Sequence, residues 1–225
     1  MLDRVEQIEM AGRSTRPASL LEAMRERTKT LHVTAERTGI VAELLRGRGT
    51  VRAYALLLRN LLPVYEALEA QLIRHQSSAV IGPTVRPELH RCPAIKADLA
   101  ALDASDLPLL PEAIAYARAV KDAGSGSGHA LLGHAYTRYL GDLSGGQIIK
   151  KILARSLALE PEALSFYEFP AIADIPRFKT EYRDALERAG AGMADHDDVV
   201  EEAAIAFQLN ITLSQALQVA AGLGG

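Results

Sequence analysis

The chain has no tryptophan and only one cysteine, Cys92. A single thiol excludes a disulfide framework and any cysteine metal cluster, and it fits a reducing cytoplasm. No apolar run reaches the length of a membrane span, and the sequence stops at Gly222-Leu-Gly-Gly225 without a hydrophobic tail. A soluble protein with no membrane anchor is therefore expected. Excess positive charge is also missing: the formal net charge is −3, which argues against nucleic-acid binding. No stretch shows the sustained alternation of a strand. No two of the six histidines stand in a His-x-x-x-His spacing; His129 and His134 are five apart and point to different faces.

What is present is helical period from end to end. Met1 to Pro17 mixes charges through its apolar residues, so residues 1–18 are expected to form a flexible leader. Residues 19–225 then form a single all-α domain, a helical bundle. Ser19-x-x-Glu22 is a capping box that opens a first helix, with Leu20, Met24, Leu31 and Ala35 as its apolar stripe. A second helix is expected from about Thr50 to His75, with Leu57, Leu61, Val64, Leu68 and Leu72 inward and a bend at Pro63. Residues 77–93 form a connector, and weaker helices follow near 94–102 and 111–122. Gly124-Ser-Gly-Ser-Gly128 breaks the chain before a glycine-bearing helix over about 129–157. Pro161 suits a short helix, and Phe166 to Pro170 an aromatic turn. Asp174 caps a helix that Gly190 ends, and a last helix runs from Asp195 or Asp197 to about Ala221.

Two segments carry candidate chemistry. On the first helix, Arg25, Lys29, His32 and Glu36 are spaced by four, three and four, which places them on one face. A neutral imidazole can bind a metal through one nitrogen while a neighbouring carboxylate holds the other. A solvated charged face would look the same. The second segment is Gly133-His-Ala-Tyr-Thr-Arg-Tyr-Leu-Gly-Asp-Leu-Ser-Gly-Gly-Gln147. Each glycine inside a helix costs about 1 kcal/mol relative to alanine, so Gly141, Gly145 and Gly146 must be offset by something that needs bare backbone. Leu143-Ser-Gly-Gly-Gln147 also spells the signature loop of ABC-type ATPases. That reading fails, because no G-x-x-x-x-G-K-[ST] phosphate loop and no strand to feed it exist. Close packing of two helices through small residues remains open. So does a flat, bulky ligand lying on exposed backbone, which would explain the flanking Tyr136, Arg138 and Asp142.

From about Ser19 to Leu217 the chain resembles the heme oxygenase family. The run from His134 to Gln147, continuing to Lys150 and Lys151, is similar to the family's signature. Thr28-Lys-Thr-Leu-His32 with Ala35-Glu36 resembles the segment that carries the proximal heme ligand. Val64-Tyr-Glu-Ala-Leu68, Arg177-Phe-Lys179, Tyr182-Arg183 and Ala206-Phe-Gln-Leu-Asn-Ile211 match as well.

The resemblance implies a kinked, glycine-bearing distal helix and a role for each matching residue. His32 would be the proximal iron ligand, with Glu36 near its second nitrogen. Gly141 and Gly145 would bring backbone onto the oxygen-binding face, and Gly146 would allow the kink. Asp142 would anchor a water network that Tyr65, Arg138 and Asn210 extend. Arg25, Lys29, Tyr136, Lys179 and Arg183 would meet the heme propionates or lie beside that edge, and Phe207 would line the pocket. Ser214 and Leu62 stand where some relatives carry aromatics.

The implied activity is conversion of heme, O2 and reductant to biliverdin, carbon monoxide and ferrous iron, with heme both cofactor and substrate. With no flavin or iron–sulfur motif in the chain, electrons would come from a ferredoxin or flavoprotein reductase. Arg25, Lys29, Lys150, Lys151 and Lys179 would offer such a donor a basic surface. A monomer is the expected state. The rival readings are a heme-trafficking protein without turnover and a helical interaction module with no cofactor.

Overall fold

A computed structural model describes residues 19–223, so the leader expected over residues 1–18 lies outside the described residues. Nine α-helices and four short 3-10 turns make up the described chain, with no strand among them. The helices are α1 (Leu20–Arg37), α2 (Gly39–Leu45), α3 (Val51–Arg74), α4 (Cys92–Ala101), α5 (Pro111–Ala123), α6 (Leu131–Asp142), α7 (Gly145–Ser156), α8 (Ile175–Ala191) and α9 (Asp197–Ala220).

Local chemistry sets most of the boundaries. The Ser19 side chain accepts from the Glu22 amide and opens α1; Thr50 does the same for α3 through Ala53. Asp174 caps α8 through the Arg177 amide, with Pro176 in the first turn, where a missing N–H costs nothing. Helix α3 runs on through Pro63 and buries Leu57, Leu61, Val64, Leu68 and Leu72.

Three features of this framework differ from the sequence expectation. The connector over 77–93 contains two 3-10 turns, Gly82–Thr84 and Pro87–Leu89. Helix α2 was not foreseen. It is set off from α1 by Gly39, which takes a φ of +69° that only glycine adopts freely. Gly190 does not end α8 but lies buried inside its last turn, where a Cβ would come 2.6 Å from the Leu20 Cβ. Its small size lets α8 and α1 touch.

Helix α9 is the central post, packed against α1, α2, α5 and α6, while α3 packs on α4, α5 and α6. Tyr54, Tyr65, Tyr116, Tyr139 and Tyr182 are fully buried among leucines. Burying each large side chain contributes on the order of 2–3 kcal/mol. Helices α6 and α9 approach closely at Gly133, where a Cβ would sit 2.6 Å from the Ala203 amide nitrogen. This framework holds α1, α6, α7 and α8 around one large cavity.

Candidate functional site

The expected single helix over 129–157 is two helices. Helix α6 ends at Asp142 and α7 begins at Gly145; between them Ser144 has φ −113° and ψ −81°, outside the helical region. The break therefore falls at Leu143–Ser144 and not at Gly146. Gly146 is buried in the first turn of α7, where a Cβ would stand 3.0 Å from the Tyr167 ring. Its small size admits an aromatic neighbour.

Gly141 and Gly145 behave in the opposite way. A Cβ built on either meets nothing within 4 Å. Close helix packing is thereby excluded as the reason for these two glycines; they present bare backbone to open space. That space is a cavity of about 1500 Å³. Ordinary small-molecule pockets hold about 300–1,000 Å³, so this one takes a large ligand.

His32 and Glu36 of α1, with Phe207 and Asn210 of α9, line the same cavity. His32 Nδ1 lies 3.7 Å from Glu36 Oε1, and its ring is tilted 52° to Phe207 with centroids 5.7 Å apart. Its Nε2 has no hydrogen-bond partner among the described residues, so one ring nitrogen faces a carboxylate and the other is open. Arg25, Tyr136, Lys179 and Arg183 also line the cavity, together with the carboxylates Glu22 and Glu187. Partial burial and the neighbouring Arg183 push the Lys179 ammonium below its usual range.

Lys29 is the expected site residue that the fold does not bring to this wall. Its exposed ammonium sits 3.7 Å from Glu26, one turn back on α1. Tyr65 does not line the cavity either, but it reaches Asp142 from behind.

Beneath the glycines lies a buried polar network. The Tyr65 hydroxyl donates to Asp142 Oδ2. Arg138 donates to the Tyr65 oxygen from Nε at 3.1 Å and Nη2 at 2.8 Å, and from Nη1 to Asn210 Oδ1 at 2.7 Å. Arg138 Nη2 is also 3.5 Å from Asp142 Oδ1. Four residues from α3, α6 and α9 thus form one connected set. Burial pushes the Asp142 carboxyl above the usual carboxylate range; Arg138, the Tyr65 hydrogen bond and the more distant Arg91 pull it back. Burial likewise opposes the charge on Arg138, but Tyr65 and Asp142 outweigh it and hold the guanidinium protonated. Burial lifts the Tyr65 phenol well above its ordinary value, so it remains a donor.

A histidine-ligated iron porphyrin fits these features. Among the described residues no three His, Cys, Asp or Glu converge as ligands for a bare ion. The donor set is a single imidazole, which suits a metal whose other ligands travel with it. The side chains missing at Gly141 and Gly145 leave room for a flat ring, and cations stand at the cavity edge for its carboxylates.

The comparisons agree. The heme oxygenase family profile matches residues 18–216. Human heme oxygenase 1 is 38% identical over 209 residues, covering 90% of this chain and 73% of the human protein. Heme oxygenase 1 of Synechocystis is 33% identical over 204 residues, covering 89% and 85%. The crystal structure of heme oxygenase-1 from Synechocystis in complex with heme superposes with a TM-score of 0.85 at 33% identity, over 91% of this chain and 94% of that one. The heme oxygenase of Leptospira interrogans gives 0.82 at 33% identity, over 88% and 100%. The chain belongs to the heme oxygenase family. It cleaves heme oxidatively to biliverdin, carbon monoxide and ferrous iron, and heme is its cofactor and its substrate. No described helix is long and apolar enough to cross a membrane.

Proposed function

We propose that the residues around the cavity divide the work of that reaction as follows. His32 would be the proximal ligand through its open Nε2, with Glu36 3.7 Å from its Nδ1 on the other side of the ring. Gly141 and Gly145 admit the ring and dioxygen close to backbone. Arg25, Lys179 and Arg183 pair with the propionates, Tyr136 lies beside that edge, and Phe207 fills the side next to His32. When bound, heme supplies the iron at which dioxygen is activated and the carbon that is oxidised. Everything else is orientation, exclusion of bulk water and control of one proton.

Asp142 is the residue that controls the proton. One carboxylate oxygen accepts from Tyr65, and Arg138 fixes Tyr65 by donating to its oxygen. The hydroxyl therefore points at Asp142, and Asp142 keeps acceptor capacity toward the cavity it lines. Water held there sits where a proton is needed, and Asn210 fixes the far end of the Arg138 fork.

The donor is a separate acidic protein, a ferredoxin or a flavoprotein reductase, docking on Arg25, Lys29, Lys151 and Lys179. Lys150 contributes less, because its ammonium already pairs with Glu168 at 2.7 Å. The protein works as a cytoplasmic monomer.

The observation that carries this division is the open space over Gly141 and Gly145 in a cavity that His32 also lines. Its test is aerobic turnover of the hemin complex with a reductase, following pigment by absorbance and trapping carbon monoxide. Biliverdin and carbon monoxide in equal amounts are expected. A stable hemin complex that yields neither would instead support heme carriage without turnover.

A further inference from the structure

The turn that closes the distal side of the cavity is held by buried charges that never touch the cavity. Phe166 and Tyr167 line it from the 3-10 turn Ser165–Tyr167, and Phe166 meets the Tyr65 ring edge-on at 5.6 Å. An irregular segment must satisfy each backbone group without a helix ladder. Here the satisfaction is complete over four residues. Asp98, fully buried, accepts from the Ser165 amide on Oδ1 and the Phe166 amide on Oδ2, each at 2.8 Å. The Tyr167 and Glu168 amides close back on Leu164 and Ser165. Arg91, 4% exposed, donates from Nη1 to the carbonyls of Phe166 and Glu168, and Gln147 donates to that of Tyr167 at 2.8 Å.

Arg91 is itself fixed. Its Nε and Nη2 donate to the carbonyls of Leu89 and Glu88, at 3.1 and 3.2 Å. Its backbone amide donates to Glu69 Oε1, and its guanidinium lies 4.0 Å from the centroid of the Phe169 ring. A planar fork with several donors does what a lysine point charge cannot. Simple burial of a hydrophobic turn would need neither charge, and burying an unshared one is costly.

We propose that Arg91 and Asp98 are positioning residues for heme cleavage: from opposite sides they lock the Ser165–Phe169 turn, so that Phe166 and Tyr167 form a rigid distal wall that limits how the porphyrin seats and which of its edges is oxidised. The proposal rests on the reading of the cavity as the heme site.

The first arm of the test uses the wild-type, full-length, heme-free chain. Amide hydrogen exchange of residues 165–168 is expected to be as slow as that of α3 and α9, although no α-helix contains them. Exchange as fast as that of the Gly124–Gly128 link overturns the proposal. The second arm uses Asp98→Asn and Arg91→Lys. Each should speed exchange within 165–168 only and, once loaded with hemin and turned over, raise the minor bilin isomers at least threefold. A natively folded variant of lower stability but unchanged isomer ratio means a structural role alone, and overturns the proposal. If neither variant folds, the wild-type exchange pattern decides. Failure of the wild type to bind hemin removes the heme reading and leaves the exchange result intact.

Discussion

Asp142 is under opposed demands. Burial favours its neutral form, whereas Tyr65 and Arg138 favour the carboxylate. A carboxyl whose folded pKa is raised adds most to stability below its unfolded value of about 3.9, and that contribution is lost as pH rises through the folded value. Keeping it ionised at working pH therefore costs fold stability, as expected of a group kept for chemistry. Removing the Tyr65 donor takes away one support of the ionised form. Tyr65→Phe should move the acid limb of the pH–rate profile to higher pH, measurable in steady-state turnover; a limb that stays or moves down contradicts the network. Asp142→Ala should still bind hemin but form biliverdin ~10²-fold more slowly, the usual scale for a positioned proton-transfer group. At this scale the sequence was only partly readable. His32 in a charged stripe looks like any solvated helix face, and only the resemblance singles it out. The Tyr65–Asp142 contact joins residues 77 apart, which no local pattern encodes.

At the scale of elements, glycines in one stretch of chain do unlike things. Gly133 is a packing glycine against α9, Gly146 admits Tyr167, and Gly141 and Gly145 face the cavity. Gly141→Ala should raise the stability of the heme-free protein by about 0.5–1 kcal/mol, because alanine is the better helix former and its methyl meets no atom. The same change should slow turnover. Gly133→Ala should instead cost about 1–3 kcal/mol, because its methyl would overlap the α9 backbone. Denaturant melts of the two variants, read side by side, check this; shifts of the same sign would undo the distinction. The sequence marks these positions as unusual but cannot sort them, since each glycine's role depends on what lies opposite in space. For the same reason the sequence reads one helix over 129–157, kinked at Gly146 only through the resemblance, where the chain breaks at Leu143–Ser144. Caps are more legible: Ser19 and Asp174 work through neighbours three residues on, so their signal is local.

At the scale of the molecule, the fold class followed from helical period and short connections, while the cavity did not. It arises where α1, α6, α7, α8 and α9 fail to fill the space between them, a property of packing and not of any one helix. Around that opening stand the cations Arg25, Lys179 and Arg183, interleaved with Glu22, Glu36 and Glu187, in a molecule of net charge −3. If an acidic electron donor docks there, raising salt from ~0.05 to ~0.5 M should raise the apparent KM for the donor several-fold and leave kcat nearly unchanged, because exposed charges are screened within a Debye length of about 10 Å or less. A salt-independent KM would place the donor elsewhere.

His32 and the open backbone of Gly141 and Gly145 line one cavity and would face one porphyrin. The most direct test is hemin titration of His32→Ala followed by added imidazole, read in the Soret region. The wild type should show one imidazole ligand, the variant should lose that spectrum, and free imidazole should restore it by entering the space the side chain left. A variant whose hemin spectrum matches the wild type without imidazole would contradict the assignment of the site.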